Sequence, residues 1–261
     1  MTHPRHRLAC EASLHKGAPV VLREAPAHYL SHVLRLRAGA TVRLFNRQDG
    51  EWLAEITRID KRELVLNVGD CLRAPHAAPF HLTACFAPIK GGRLEAMVEK
   101  ATELGVQALQ PVITQRTIVD KVNLVRLDAV AREAAEQCER IDWPEIRPPV
   151  RLPSLLGSWP QDVPLIVGDE SGDGGSAVTL VSQTHAPSSP TTEKRWGVLT
   201  GPEGGFAPEE LQALRHHTAV RGVGLGPRIL RADTALMALT VATLLAWGDW
   251  HHPPRFTQGT H

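Results

Sequence analysis

The sequence predicts an α/β protein: a mainly parallel sheet with helices on both faces, preceded by a small β-barrel. Three observations predict it. From residue 80 onward, short apolar runs alternate with segments whose apolar residues recur every three or four positions, the pattern of strands joined through crossover helices. Residues 1–73 instead hold short, alternating, β-branched runs, which read as an all-β unit. Between them, residues 74–79 (APHAAP) form a linker.

In the N-terminal unit, residues 19–22, 41–45, 52–56 and 63–68 are the strands. Residues 46–50 end in Asp49-Gly50 and predict a hairpin turn. Leu30, Val33 and Leu34 recur at helical spacing and predict a helix over 28–36. Beyond the linker, residues 80–86 are a strand. Gly91-Gly92 opens a helix that runs to Gly105, with Leu94, Met97, Val98, Ala101 and Leu104 on one face. A strand over 106–114 precedes a long helix over 123–140, with Leu124, Leu127, Val130, Ala131 and Ala134 inward. Strands follow at 163–167 and 196–200. Residues 208–216 form a helix with Pro208 at its start and Glu209 and Glu210 in its first turn, as the helix dipole favours. A last short strand at 220–223 leads to a strongly apolar helix over 234–247, ended by Gly248. Residues 171–194 are rich in Ser, Thr, Pro and Gly, with a short helix or strand at 178–181.

Composition excludes several classes. No apolar run reaches the roughly 18 residues of a membrane span, and the first ten residues have no secretory pattern. The four cysteines (Cys10, Cys71, Cys85, Cys138) are far apart, which predicts free thiols in a reducing, cytoplasmic setting. The thirteen histidines include His216-His217 and His251-His252 but no companion ligands at metal spacing, so no metal is expected. Net charge is +1, yet residues 1–47 hold eight Lys/Arg against two acids and carry +6. A basic lobe on a neutral chain is either an electrostatic footprint for phosphate or a solvated face.

The chemistry concentrates in two runs, 199–205 (LTGPEGG) and 225–235 (LGPRILRADTA). Each follows an apolar strand run and precedes a helix. Two such glycine-rich turns can form one cradle of backbone N–H and C=O groups, suited to an adenosine-containing cofactor. Arg228 and Arg231 in the second run point to an anionic partner. The first run lacks the Lys-Ser/Thr ending of a P-loop. Residues 222–226 (GVGLG) mimic a dinucleotide fingerprint, but Pro227 follows at once and no helix starts there. No Gly-x-Ser-x-Gly elbow occurs.

Together the two runs resemble the SPOUT superfamily of S-adenosylmethionine-dependent RNA methyltransferases, and within it the RsmE family of 16S rRNA uridine-N3 methyltransferases. Residues 32–39 (HVLRLRAG), Lys90 with 99–105 (EKATELG), 114–116 (TQR), 136–139 (EQCE) and 144–147 (PEIR) extend the likeness over nearly the whole chain. The resemblance implies a PUA-like RNA-binding β-barrel over 1–73 and a SPOUT methyltransferase domain over 80–250. It also implies a C-terminal trefoil knot, with the loop 225–233 threaded under the segment after residue 199. S-adenosylmethionine would lie on Leu199, Thr200, Gly201, Gly204, Gly205, Leu225, Gly226, Ile229, Leu230, Thr234 and Ala235. The substrate would be 16S rRNA of the 30S subunit, and the protein a homodimer.

The chemistry of that expected reaction suggests roles. Arg228 and Arg231 would stabilise a uridine anion on O2 and O4 or grip flanking phosphates; the alternative is that one of them braces the knot by pairing with Glu203 or Asp233. Glu203 is the first candidate for a general base, against a competing role in capping the glycine turn. Arg5, Arg7, Arg35 and Arg37 would be phosphate contacts of the N-terminal unit. The sequence departs from the family at Asp233, where Glu is usual. Glu139 and Asp142 also stand in a stretch usually rich in Gly and Arg, which predicts a weakened or re-routed substrate path. A tRNA ribose methyltransferase and a non-catalytic RNA-binding protein are the rival readings.

Overall fold

The computed structural model describes residues 4, 6–60, 62–75, 79–119, 121–169, 171, 174–182 and 194–252. The chain divides into two compact units, Met1–Ala77 with Arg132–Trp143, and Ala78–Ala131 with Pro144–His261.

The first unit opens with β1 (Arg7–Ala9) and β2 (Pro19–Arg23). Helix α1 (Glu24–His28) then runs into a π-helical turn over Tyr29–Val33. Three long strands follow, β3 (Thr41–Asn46), β4 (Gly50–Ile59) and β5 (Glu63–Arg73). The sheet order is β1-β3-β4-β5-β2. The expected barrel is a half-barrel, with β1 and β2 as its edges among the described residues. Val20, Leu22, Val42, Leu44, Ala54, Ile56, Leu64 and Leu66 alternate inward and pack with Leu8, Leu14 and Leu30, as a sheet with one buried face requires. At the predicted hairpin, Asn46 Oδ1 accepts the Asp49 N–H at 2.6 Å. The helix expected over 28–36 starts earlier, at Glu24, with Pro26 inside its first turn. Proline is tolerated there because it lacks an N–H that would be unpaired anyway.

The second unit begins with β6 (Phe80–Phe86), α2 (Arg93–Glu103), β7 (Ala108–Ile113) and the first part of α3 (Leu124–Gln137), whose residues from Arg132 on belong to the first unit. Short elements follow: β8 (Glu145–Ile146), β9 (Val150–Arg151) and α4 (Leu152–Ser158). Then come β10 (Leu165–Gly168), β11 (Gly175–Ser176), α5 (Ala177–Ser182) and β12 (Lys194–Thr200). The last three are α6 (Pro208–His216), β13 (Val220–Gly224) and α7 (Ala232–Trp247). The sheet runs β11-β13-β10-β12-β6-β7-β8, with β9 also on β7, and every pairing is parallel. Near-continuous burial along β6, β7 and β12 is what helices on both faces of a parallel sheet impose. One core cluster joins Cys85, Leu165, Val167 and Leu199 of the sheet to Leu152, Leu155 and Leu214 of α4 and α6. Helix α7 packs against β6, β10 and β12, burying Leu236, Leu239, Leu244 and Trp247.

The order of the last strands positions the site. β10 lies between β12 and β13, pairing Ile166 with Val198 on one side and with Arg221 on the other. The loops after β12 and β13, which carry the two glycine-rich runs, therefore leave the same edge of the sheet on either side of the carboxyl end of β10. Ligands of parallel α/β sheets bind at that kind of edge.

Candidate active site

The two runs meet in one cavity of about 560 Å³. Of the residues expected at a cofactor, Thr200, Gly201, Gly205, Leu225, Gly226, Ile229, Leu230 and Ala235 line it, as do Glu203, Arg228 and Arg231. Leu199, Gly204 and Thr234 do not. Leu199 is fully buried in the core below, and Thr234 is exposed on the first turn of α7. Gly204 faces the other way, its carbonyl accepting from Arg116 Nη1 at 2.8 Å.

The first loop is fixed from several sides. Gly205 N–H donates to the Pro202 carbonyl at 2.9 Å. The buried Glu210 accepts the N–H groups of Ala207 and Gln115, at 2.9 and 2.8 Å, so one carboxylate pins both the start of α6 and the loop after β7. A Cβ on Gly201 would lie 3.1 Å from the Phe206 ring, and Phe206 is itself part of the cavity wall. Gly226 needs its missing side chain for another reason. A Cβ there would meet nothing within 4 Å, but its φ of +98° lies in the region L-residues avoid.

The polar groups of the cavity are few and distinct. Thr200 is 2 % exposed, and its Oγ1 is buried with no hydrogen-bond partner. A buried hydroxyl without a partner costs about 1–3 kcal/mol, so an orphan on a cavity wall marks where a ligand's polar atom fits. Glu203 forms an ion pair with Arg93 of α2 at 2.5 Å. Arg228 and Arg231 are exposed, and no ion pair to Glu203 or Asp233 holds either among the described residues. Asp233 Oδ1 instead accepts the Thr234 N–H at 2.9 Å. Bracing by those pairs is therefore not what the two arginines do in this structure.

Asp169 is the residue that sequence reasoning missed. It follows β10 directly, lines the cavity and is half-buried, with one oxygen accepting the Ser171 N–H at 2.9 Å. Its place between the two glycine loops depends on β10 lying between β12 and β13, which no local pattern encodes. The signal that was available is an acid directly after an apolar strand run.

The basic N-terminal segment resolves differently from the expectation. Arg5 lies outside the described residues. Arg7 is corrected: it is 6 % exposed, and its guanidinium donates to Glu51 and to the carbonyls of Ala135, Glu136 and Arg140. Four inward bonds leave it committed to the interior. Burial opposes the charge on Glu51, yet Arg7 and Arg73 outweigh it and hold the carboxyl below the usual carboxylate range. Lys16, Arg23, Arg43 and Arg47 pair with Asp70, Glu63, Glu139 and Asp142. The two acids that depart from the family pattern thus neutralise lobe arginines of their own unit. Arg35 and Arg37 are exposed, and neither is in an ion pair among the described residues. Arg35 also has φ +55°, a strained conformation for a long side chain of the kind that clusters at functional sites.

Among the described residues, no helix is long and apolar enough to cross a membrane, and no group of three or more His, Cys, Asp or Glu could hold a metal ion.

Comparison with known proteins bears on this geometry. Residues 76–244 match a family model described as an RNA methyltransferase domain, and residues 22–69 match an RNA methyltransferase PUA domain. The chain is 33% identical over 208 residues to ribosomal RNA small subunit methyltransferase E of Rickettsia conorii, a match spanning 80% of this chain and 82% of the relative. It is structurally similar to a methyltransferase from Legionella pneumophila in complex with the cofactor SAM (TM-score 0.81, 26% identity, 93% of this chain and 98% of that one). It is likewise similar to a ribosomal RNA small subunit methyltransferase E from Neisseria gonorrhoeae bound to S-adenosyl methionine (TM-score 0.80, 27% identity, 94% and 99%).

Proposed function

The chain belongs to the ribosomal RNA small subunit methyltransferase E family, and from that premise we propose that it methylates N3 of a uridine in 16S rRNA with S-adenosylmethionine as donor. One observation carries the reading: the loops after β12 and β13 close with the end of β10 around a single cavity that holds an unpartnered buried hydroxyl, Thr200 Oγ1, and two arginines.

S-adenosylmethionine supplies an electrophilic methyl group on a sulfonium. The residues of this chain do the rest. The backbone of 200–205 and 224–226 forms the cradle, with Thr200 Oγ1 and the Asp169 carboxylate as polar partners for the cofactor's hydroxyl or amino groups. Uridine N3 carries a proton and is a poor nucleophile until that proton leaves. Arg228 and Arg231 line the cavity, and the planar guanidinium fork suits the negative charge that would develop on O2 and O4. Glu203, which pairs with Arg93 of α2, is the carboxylate that would accept the proton. Arg35 and Arg37 contact RNA phosphates. The protein acts as a homodimer on the 30S subunit, and the loop 225–233 forms the trefoil knot that the family resemblance implies.

Support comes from the match of residues 22–69 and 76–244 to RNA methyltransferase family models and from the convergence of both glycine loops on one cavity. Calorimetry with S-adenosylmethionine tests it first. The wild-type chain binds the cofactor, and Thr200→Val, which keeps the shape and deletes the hydroxyl, binds it more weakly. Absence of wild-type binding in a folded protein overturns the reading.

A further inference from the structure

The second unit holds another cavity, of about 280 Å³, outside the site described above. It lies between the loop after β6 and the start of α3. Ile89 and Leu127 are buried and Leu94 and Val119 half-buried, and together they make an apolar floor. The rim is cationic. Arg126 is matched by Glu95 through Nε and Nη2, at 3.0 and 2.6 Å, which leaves Lys90 and Lys121 as the surplus charge. Both lysines are exposed, and neither is in an ion pair among the described residues. Helix α2 starts beside the cavity at Gly92 with no side chain capping its first turn, so its positive end adds to the same field. Ile118 and Val125, next in sequence to lining residues, are 67% and 82% exposed. Apolar surface beside unpaired lysines suits a ligand with a flat apolar body and an anionic link.

The cavity also shares an edge with the proposed chemistry. β6 and β12 are parallel neighbours, pairing Phe86 with Thr200, so the loops that follow them leave the sheet side by side. Arg93 on the first turn of α2 is the residue that pairs with Glu203 of the cofactor loop. Arg93 precedes the lining residue Leu94, so the helix start at this cavity's edge also reaches the loop of the cavity proposed for methyl transfer.

We infer that this second cavity seats an unpaired nucleotide of the RNA substrate near the methylated one. Its base lies on Ile89, Leu94, Val119 and Leu127, and the phosphodiesters on its two sides lie one at Lys90 and one at Lys121. The inference rests on the methyltransferase reading for its substrate and adds a contact to which that reading assigns nothing.

The test measures binding of 16S rRNA by the full chain as a function of salt, with methyl transfer and cofactor affinity measured in parallel. Lys90→Glu/Lys121→Glu should weaken RNA binding about tenfold or more, and the milder Lys90→Gln/Lys121→Gln should reduce the salt slope by about 1.4, the value for two single-strand phosphate contacts. Affinity for S-adenosylmethionine should not change. RNA affinity and salt slope equal to wild type in both variants overturn the inference. A wild-type protein that shows the two-lysine dependence but transfers no methyl group keeps this site and overturns the methyltransferase reading instead.

Discussion

Arg7 and Glu51 form a buried ion pair, Nε to Oε1 at 2.6 Å, with both side chains 2% exposed. The same carboxylate also accepts from Arg73 and faces Arg43. Three arginines thus share one buried acid. The pair ties β1 to β4, while Arg7 also binds carbonyls of residues 135, 136 and 140 in the same unit.

Removing that acid strands the arginines. Glu51→Gln should cost about 3–5 kcal/mol of stability, the usual penalty for breaking a buried pair from one side, read by denaturant unfolding. Because the folded-state pKa of Glu51 is depressed, its contribution is complete above the ordinary carboxylate range and is lost as pH falls through the folded value. A variant as stable as wild type at pH 7 contradicts the network.

Glu136 behaves in the opposite sense. Burial pushes its carboxyl up to about 7 from an ordinary 4.5, although one oxygen accepts the Ala9 N–H at 3.0 Å. A raised acid stabilises the fold while protonated, so the contribution is full below about 4.5 and is lost as pH rises through about 7. Melting temperature should therefore fall between about pH 4.5 and 7, and Glu136→Gln, which is neutral throughout, should flatten that fall. An unchanged pH profile in the variant sinks the assignment.

The two glycine loops should fail by different physics. Gly201→Val drives a side chain into Phe206 and should abolish cofactor binding. Gly226→Ala meets no atom but must adopt φ +98°, a strain of about 1–3 kcal/mol. It should weaken cofactor binding and leave the rest of the fold intact. Calorimetry and circular dichroism on the two variants separate the cases; wild-type affinity in Gly201→Val argues against the cradle.

Arg231 should act in the chemical step. It precedes α7 directly and its backbone carbonyl accepts the Ala235 N–H at 2.8 Å, so the helix start fixes where its side chain begins. Loss of one donor to a developing oxyanion costs about 100- to 1,000-fold in rate. Arg231→Ala should show that loss in single turnover at saturating RNA, with cofactor affinity retained. A full single-turnover rate with weaker RNA affinity would instead mark a phosphate contact.

Much of this was legible in the sequence, for identifiable reasons. Glycine and proline at strand ends announce turn geometry directly, so the runs at 199–205 and 225–235 stood out. Strand and helix periods placed β6, α2, β12 and α6 closely. Three things were not legible. Asp169 joins the cavity only through the order β13-β10-β12, a long-range fact. Arg7 looked like surface charge because its partners lie as far as 133 positions away, beyond any local count. The start at Glu24 was hidden because residues 24–27 (EAPA) hold no large apolar residue to extend the spacing of Leu30, Val33 and Leu34.

The most direct measurement is nucleoside mass spectrometry of 16S rRNA after incubation with the purified protein and methyl-labelled S-adenosylmethionine. The cavity described here, with Arg228 and Arg231 lining it, predicts label in N3-methyluridine at one position, abolished by Gly201→Val. Label on a ribose hydroxyl, or no label from a protein that binds both cofactor and RNA, would contradict it.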